Sequence, residues 1–261
     1  MTGTKIVKLR LEDGGAGDKL PELRGRVDES VLGRALEIFE TTEHQEDRAY
    51  HQRLAGEISN AGLDIDNITL QAVVDTLEKK HADEKYDSTA NEIHKNIGSY
   101  QNRAGLLYTA LVQASSRDEF KIKMRKPVNF LGHVLDGKKI IVDGDVGHKV
   151  GWEMKHGEII VNGNAGMWAG MSKLNGNIHI KKNAGKYAGS WARAGEITVD
   201  GDTDAGTGQF LCGGRVTVMG DAKGSETGSN SSFGTIDVKG VIENISPKVG
   251  ATIYEKGIKK R

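Results

Sequence analysis

The sequence is poor in cysteine, proline and net charge, and each shortage excludes a class of protein. Its 261 residues include one cysteine, Cys212, and three prolines. A single thiol excludes an intrachain disulfide framework and any cysteine-rich zinc or iron–sulfur site. The 36 Lys and Arg residues balance the 36 Asp and Glu residues. The chain therefore lacks the basic surplus of a dedicated nucleic-acid binder, and we expect no nucleic-acid partner.

Long apolar runs are also missing. The longest are only a few residues, whereas a helix that crosses a bilayer needs about 20. The N-terminal stretch MTGTKIVKLRLEDGG has no apolar segment followed by a small-residue cleavage site. We therefore expect a cytoplasmic protein with no membrane partner.

Glycine is the residue in excess. The chain has 35 glycines, against roughly 18 at an average usage of about 7%. Residues 1–136 hold 11 of them and residues 137–261 hold 24. Excess glycine without excess proline predicts many tight turns in the C-terminal half rather than a flexible linker.

The C-terminal half is a repeat. Each unit carries two aliphatic residues separated by one position, such as Ile140 and Val142, followed by Gly-Asx-Ala-Gly or a variant of it. This alternation predicts a half-buried strand, and the glycine segment predicts a turn. Successive starting positions differ by 19 four times and by 20 once, and they are Lys138, Gly157, Gly176, Gly195, Gly214 and Gly234.

The length of this period predicts the architecture. At about 3.3 Å per residue, one unit forms a loop with three short sides, and successive loops stack at about 4.8 Å. The period is too short for a propeller blade, and the leucine ladder of a leucine-rich repeat is missing. We therefore predict an α+β protein in which an N-terminal helical region precedes a right-handed parallel β-helix of about six coils.

The repeated string G-x-I-x-V-x-G-x-A-G-x-x-x-G resembles the GXGXG domain over roughly residues 132–245. That domain forms the C-terminal end of the large subunit of glutamate synthase. It also forms most of the C subunit of formylmethanofuran dehydrogenase and of its bacterial formyltransferase/hydrolase counterpart. The resemblance implies a bracket that holds catalytic subunits together and carries no catalytic residue itself. The turn glycines that match the family pattern are Gly144, Gly147, Gly151, Gly163, Gly166, Gly170, Gly185, Gly189, Gly201 and Gly220.

Two functions follow from this resemblance, and residues 1–130, which match nothing in these families, suggest a third. The first is a non-catalytic scaffold subunit of an oxidoreductase complex, similar to the C subunit of formylmethanofuran dehydrogenase. The second is the GXGXG subunit of a split glutamate synthase-like amidotransferase. The third is an adaptor whose helical half and β-helix bind different partners. In each case the partners are other protein subunits, this chain binds no metal or cofactor itself, and any cofactors belong to the partners.

The N-terminal half is predicted to be mainly helical. Residues 5–11 alternate as a single strand, and Gly14–Gly17 forms a loop. Asp28 is predicted to cap a first helix, Asn60–Gly62 to end a second, and Asn67 or Thr69 to cap a third. The last helical region holds Ile93, Ile97, Leu106, Leu107 and Leu111 on its apolar face. The predicted divisions are residues 1–130 (helical), 131–250 (β-helix) and 251–261 (a basic tail). Because an open β-helix end exposes strand groups, we expect the helices to cover it.

The residues capable of chemistry do not form a recognisable set. His44 and His51 are predicted to lie on a solvated helix face, and His148 at a solvated turn. Cys212 is predicted to be buried and inert. Ser190 is not in a Gly-x-Ser-x-Gly motif. The sequence therefore predicts no catalytic residue.

One group of large side chains follows the repeat. Lys149, Trp168 and Tyr187 are each separated by one period, so they are expected to stack in adjacent coils. Trp152 and Trp191 come just after the neighbouring glycines. An internal ladder that fills the β-helix and an outward surface are both compatible with this spacing. We favour the outward surface, as a site for a partner subunit, because aromatic residues concentrate at interfaces.

Overall fold

The computed structural model describes residues 27–42, 50–84 and 99–261. Within these ranges four helices precede a solenoid of parallel strands, which confirms the predicted fold class. The helices are α1 (Glu29–Thr41), α2 (Tyr50–Asn60), α3 (Asn67–Lys80) and α4 (Tyr100–Ala114). The strand predicted at 5–11, the Gly14–Gly17 loop, His44, and Ile93 with Ile97 lie outside the described residues.

The helix ends agree with the sequence at two of three predicted positions. The Asp28 side chain accepts hydrogen bonds from the backbone of Ser30 and Val31, so it caps α1 as predicted. The helix α2 ends at Asn60, and Gly62 follows with a φ of 61°. The predicted cap of α3 was wrong. Asp66 fills that position, because its carboxylate accepts from the backbone N–H of Thr69 at 2.7 Å.

The solenoid has about seven turns, built on one strand per coil. Each strand from β1 to β7 pairs in parallel with the next, and β9 ends the sheet antiparallel to β8. The six predicted strands are β2 to β7, so the structure adds one strand before them and two short ones after. The strands are β1 (Glu119–Lys123), β2 (Lys138–Asp143), β3 (Gly157–Val161), β4 (Asn177–Ile180), β5 (Glu196–Val199), β6 (Arg215–Val218), β7 (Thr235–Val238), β8 (Thr252–Glu255) and β9 (Ile258–Lys259).

The constant period places identical positions on top of one another. Ile140, Ile159, Ile178 and Ile197 lie opposite one another in register, and all four are buried. On a second side, isolated parallel bridges join Val146, Ala165, Ala184, Thr203, Ala222 and Ile242. Small alanines on that side and branched aliphatics on the strand side fill the interior, which explains why one unit cannot be stable alone.

A ladder of Asp and Asn side chains runs along the first corner of the coils. The Asp145 Oδ1 atom accepts from the backbone N–H of Asn164, one coil further on, at 2.7 Å. The same contact is repeated in turn by Asn164, Asn183, Asp202 and Asp221. The Asp or Asn of the turn that follows each strand therefore satisfies a backbone donor of the next coil, and in the third unit it does so after Lys182 instead of glycine.

The helices cover the first edge of the solenoid, as expected. On α3, Asn67 accepts from the backbone N–H of Lys121 at 2.5 Å and donates to the carbonyl of Glu119 at 3.2 Å. One turn later, Gln71 exchanges hydrogen bonds of 2.7 and 2.9 Å with the backbone N–H and carbonyl of Lys123. Two side-chain amides thus take the place of a neighbouring strand along β1, which protects an edge that would otherwise pair with other chains.

The helix α4 makes the corresponding contacts with the loop after β1. The Asn129 N–H donates to the carbonyl of Gln101 at 3.0 Å, and the Thr109 hydroxyl accepts from the N–H of Gly132 at 2.8 Å. One apolar cluster runs without a break from Leu107 in α4 into the strands. The strand β1 begins before the division predicted at residue 130, and β8 and β9 lie in the segment predicted as a tail.

Candidate functional site

One corner of the solenoid carries large residues in an unusual backbone conformation. Two columns of residues there, with one residue per coil, have φ between 52° and 78°, the left-handed region, which costs a non-glycine residue about 1–2 kcal/mol. The first column is Phe130, Lys149, Trp168, Tyr187, Gly206 and Glu226, and the second is Val134, Glu153, Ser172, Trp191, Phe210 and Asn230.

Hydrogen bonds between coils hold the first column in place. The backbone N–H groups of Lys149, Trp168 and Tyr187 donate to carbonyls of the following coil at 2.8, 2.8 and 2.9 Å. The conformation is thus imposed by the stack and repeats with it. We use the name aromatic edge for Trp152, Trp168, Tyr187, Trp191 and Phe210, which lie at this corner in four successive coils.

The rings of the aromatic edge stack on one another between coils. The centroids of Trp168 and Tyr187 are 5.8 Å apart with 15° between the ring planes. Those of Trp191 and Phe210 are 4.4 Å apart at 10°. The Tyr187 ring also lies over Gly206, where a Cβ atom would come within 2.3 Å of it. The faces of these rings are therefore largely used within the protein.

The side chains of this group were expected to point outward, and only some of them do. The Trp191 residue is 46% exposed, whereas Trp152, Trp168 and Tyr187 are half-buried. The expectation was wrong for Lys149, which is 1% exposed. Lysine is the longest side chain in its column, and here it folds over its neighbours' rings instead of extending into water.

Three aromatic rings surround the Lys149 ammonium group. Its Nζ atom is 4.7 Å from the ring centroid of Trp152, 5.2 Å from that of Phe130 and 5.7 Å from that of Trp168. Burial lowers the pKa of Lys149 from 10.5 to about 8, and the carboxylate of Glu153 opposes this shift. The rings attract the cation, so the cluster combines favourable contacts with a cost of desolvation.

A histidine pair connects the aromatic edge to the helices. The His133 ring stacks on Trp152 at 4.5 Å and contacts His51 of α2 edge-on at 4.5 Å. Burial, with smaller contributions from His51 and Lys149, lowers the pKa of His133 from 6.5 to about 4. The prediction that His51 lies on a solvated face was therefore wrong, because α2 packs this ring against the first coil.

Two further residues differ from the prediction. The His148 residue is 3% exposed, and its Nδ1 atom accepts from the N–H of Met167 at 2.9 Å, so it is not at a solvated turn. This geometry places the ring proton on Nε2. The Cys212 side chain is exposed rather than buried, because it follows Leu211, which takes the inward position.

The predicted turn glycines have two different structural roles. At Gly170, φ is 67° and a Cβ atom would lie 2.4 Å from the Ile197 side chain. At Gly166, φ is not left-handed, but a Cβ atom would lie 2.9 Å from the backbone of Gly147. Gly151 and Gly189 follow the first pattern, and Gly144 has a φ of 134°. Contacts shorter than 3.0 Å with the preceding coil exclude a Cβ atom at Gly147, Gly163, Gly201 and Gly220, and at Gly185 the nearest such contact is 3.0 Å.

Sequence reasoning missed four residues of this region. The period itself pointed to two of them, since Phe130 lies one period before Lys149 and Phe210 lies one period after Trp191. The third, His133, lies one period before Trp152. The fourth, Lys173, is fully buried and donates to the carbonyls of Gly176 and Ala194 at 2.7 and 2.5 Å. Burial lowers the pKa of Lys173 to about 8.

The described residues contain neither a cluster suited to a metal ion nor a helix suited to crossing a membrane. Across residues 27–42, 50–84 and 99–261, no three His, Cys, Asp or Glu side chains are placed to hold one metal ion. Among the helices in the same ranges, none combines the length and the apolar character needed to cross a bilayer.

Comparison with known proteins gave one solved structure of interest. No family model matches the chain, and no curated protein matches it. The chain is similar to a chain of the formyltransferase/hydrolase complex of Methylorubrum extorquens, whose crystal structure contains methylofuran. The two share 23% identity with a TM-score of 0.42, over 51% of this chain and 59% of the other. A likeness of this size carries no argument about function.

Proposed function

We propose that this chain is a non-catalytic scaffold subunit of a larger enzyme complex, and that it binds a partner subunit through the aromatic edge. One observation carries this proposal. Five large aromatic residues lie at one corner in four successive coils, and the Trp191 residue is nearly half exposed. Aromatic residues are the commonest anchors of protein interfaces, and a rigid stack presents them at little entropic cost.

The resemblance to the GXGXG domain supports the same function. Six copies of one motif in register are typical of a β-helix that offers surface rather than a reactive cleft. On this basis the complex is an oxidoreductase similar to formylmethanofuran dehydrogenase, and its cofactors are held by the other subunits. The close packing of the helices on β1 favours a single body over an adaptor with two separate binding halves.

Purification at native expression level tests the proposal. A tagged chain is isolated under mild conditions, its mass is measured by light scattering, and the associated proteins are identified by mass spectrometry. We expect other subunits in fixed ratio with this chain. Formylmethanofuran-type subunits support the finer proposal, and glutaminase or synthase subunits indicate the amidotransferase alternative. A monomer with no associated protein would contradict the scaffold function.

A further inference from the structure

We propose that the aromatic edge binds an acidic amphipathic helix of a partner subunit. This inference rests on the proposed scaffold function and adds the chemistry of the partner. Four observations support it: the spacing of the edge, the stacking of its rings, the charges beside it and the little backbone that the ends of the sheet offer to a partner strand.

The spacing of the edge fits a helix. The aromatic edge spans four coils, which are separated by three steps of about 4.8 Å, or about 14 Å in total. A helix rises about 5.4 Å per turn, so its side chains at i, i+4 and i+7 advance by nearly one coil per turn. A helix that lies along the solenoid axis can therefore place one apolar side chain against each coil over about two and a half turns.

The stacking of the rings argues against a nucleic acid or a sugar. Those ligands bind aromatic side chains by lying on their faces. Here the faces of Trp168 and Tyr187 lie against each other, and so do those of Trp191 and Phe210. The ring faces that lie against each other are not available to such a ligand, whereas packing against the aliphatic side chains of a helix does not require a free ring face.

The charges beside the edge are mostly basic. Lys155 and Arg193 lie two positions after the second column, and Lys186 lies one position before Tyr187. All three are exposed, and none has an ion-pair partner within the described part of the chain. Of the acidic residues, Glu153 is half-buried, Asp204 is exposed two positions before Gly206, and Glu226 holds the side chain of Gln209. In a chain with no net charge, three such cations beside an apolar surface favour an acidic partner.

The ends of the sheet offer little backbone for a partner strand. The side chains of Asn67 and Gln71 occupy the edge of β1, and at the other end the terminal strand β9 has only two residues. Strand addition, the main alternative mode of peptide recognition, therefore has only this two-residue edge among the described strands. A second copy of this chain does not supply such a helix to the aromatic edge. Its described helices bury their own apolar faces, as α1 does with Ile38 and Phe39.

Photo-crosslinking in the native complex tests the position and the chemistry of the partner. A benzoylphenylalanine replaces Ser172, which lies in the second column between Glu153 and Trp191, and Thr198 on the sheet face is the matched control. We expect a crosslink only from position 172, to a segment with acidic residues and apolar residues at i, i+4 and i+7. A crosslink to a second copy, to a basic or non-periodic segment, or only from position 198 would overturn the inference.

Charge reversal tests the electrostatic part. In the double variant K155E/R193E, we expect partner binding at 0.1 M salt to weaken about tenfold, since two exposed ion pairs are lost and become repulsive. The difference from wild type should shrink at 0.5 M salt. The control K181E/K182E carries the same charge change on another corner and should bind as wild type does.

The two proposals fail in different ways. If a partner binds the wild type and both double variants equally, the scaffold function stands and the helix inference is wrong. If no partner is recovered with the wild-type chain, both are wrong. Thermal melting of each variant verifies that a loss of binding is not a loss of folding.

Discussion

Replacing Lys149 by methionine tests how the aromatic edge accommodates a buried cation. Methionine has a similar length and no charge, so the substitution removes the titrating group and keeps most of the packing. Burial lowers the pKa of Lys149 from 10.5 to about 8. One pKa unit corresponds to 1.36 kcal/mol, so the charged form costs the folded protein at most about 3 kcal/mol.

The direction of the pH dependence follows from the two pKa values. Between pH 8 and 10.5 the unfolded chain keeps the proton of Lys149 and the folded protein releases it. The stability of the wild type therefore rises with pH across this window, by about 1–3 kcal/mol, whereas the Lys149→Met variant lacks this gain. At pH 7 the charge of Lys149 destabilises the folded wild type by the full amount, and at pH 10 most of this destabilisation has disappeared.

Urea unfolding at pH 7 and pH 10 measures the effect. Any change in packing is the same at both pH values, so it cancels when the variant and the wild type are compared across pH. We expect the stability of the variant relative to the wild type to fall by about 1–3 kcal/mol from pH 7 to pH 10. The control is Lys186→Met at an exposed position, which should differ from the wild type equally at both pH values. A constant difference for Lys149→Met would refute the reasoning.

Three other substitutions test the stack and its cap. Gly206→Ala should destabilise the protein by more than about 2 kcal/mol in urea unfolding, because φ is 78° and the new Cβ atom would lie 2.3 Å from the Tyr187 ring; an unchanged midpoint would contradict the ring's position. Gln71→Ala should cost about 1–3 kcal/mol and speed hydrogen exchange at the Lys123 amide, whose partner it removes. Burial raises the pKa of the Glu78 carboxyl above 4.5. The folded protein therefore binds the Glu78 proton more tightly than the unfolded chain does. The free energy of unfolding of the wild type should fall as the pH rises above 4.5 through the folded pKa. Glu78→Gln should lack that fall in thermal melts from pH 4 to 8, and parallel curves for the two proteins would exclude the buried carboxyl as its source.

The constant interval between repeats made it possible to predict the solenoid from the sequence. A strand in a β-helix pairs with the residue one period away, so the interval between repeats in the sequence is also the register of the sheet. The same regularity identified the column of Lys149, Trp168 and Tyr187. The missed cap of α3 is a local ambiguity, since Asp66, Asn67 and Thr69 are all residues that occur at helix starts.

The contacts between the helices and the first coil could not be predicted from the sequence in the same way. Asn67 and Gln71 bind backbone groups of β1 more than 50 positions further along the chain, and nothing in the spacing of either segment indicates that contact. His51 meets His133 for the same reason: α2 and the first coil are brought together by packing of apolar faces, which has no periodic signature.

The sequence alone therefore determined the stack, its period and the residues that share each column, because neighbours in the sheet are fixed by a constant interval. Only the tertiary structure decided which members of a column face water. Trp191 is exposed and Lys149 is enclosed although both have left-handed backbones. The difference arises because the first coil places Phe130 beside Lys149 and His133 against Trp152, whereas Trp191 stacks on Phe210 and stays nearly half exposed.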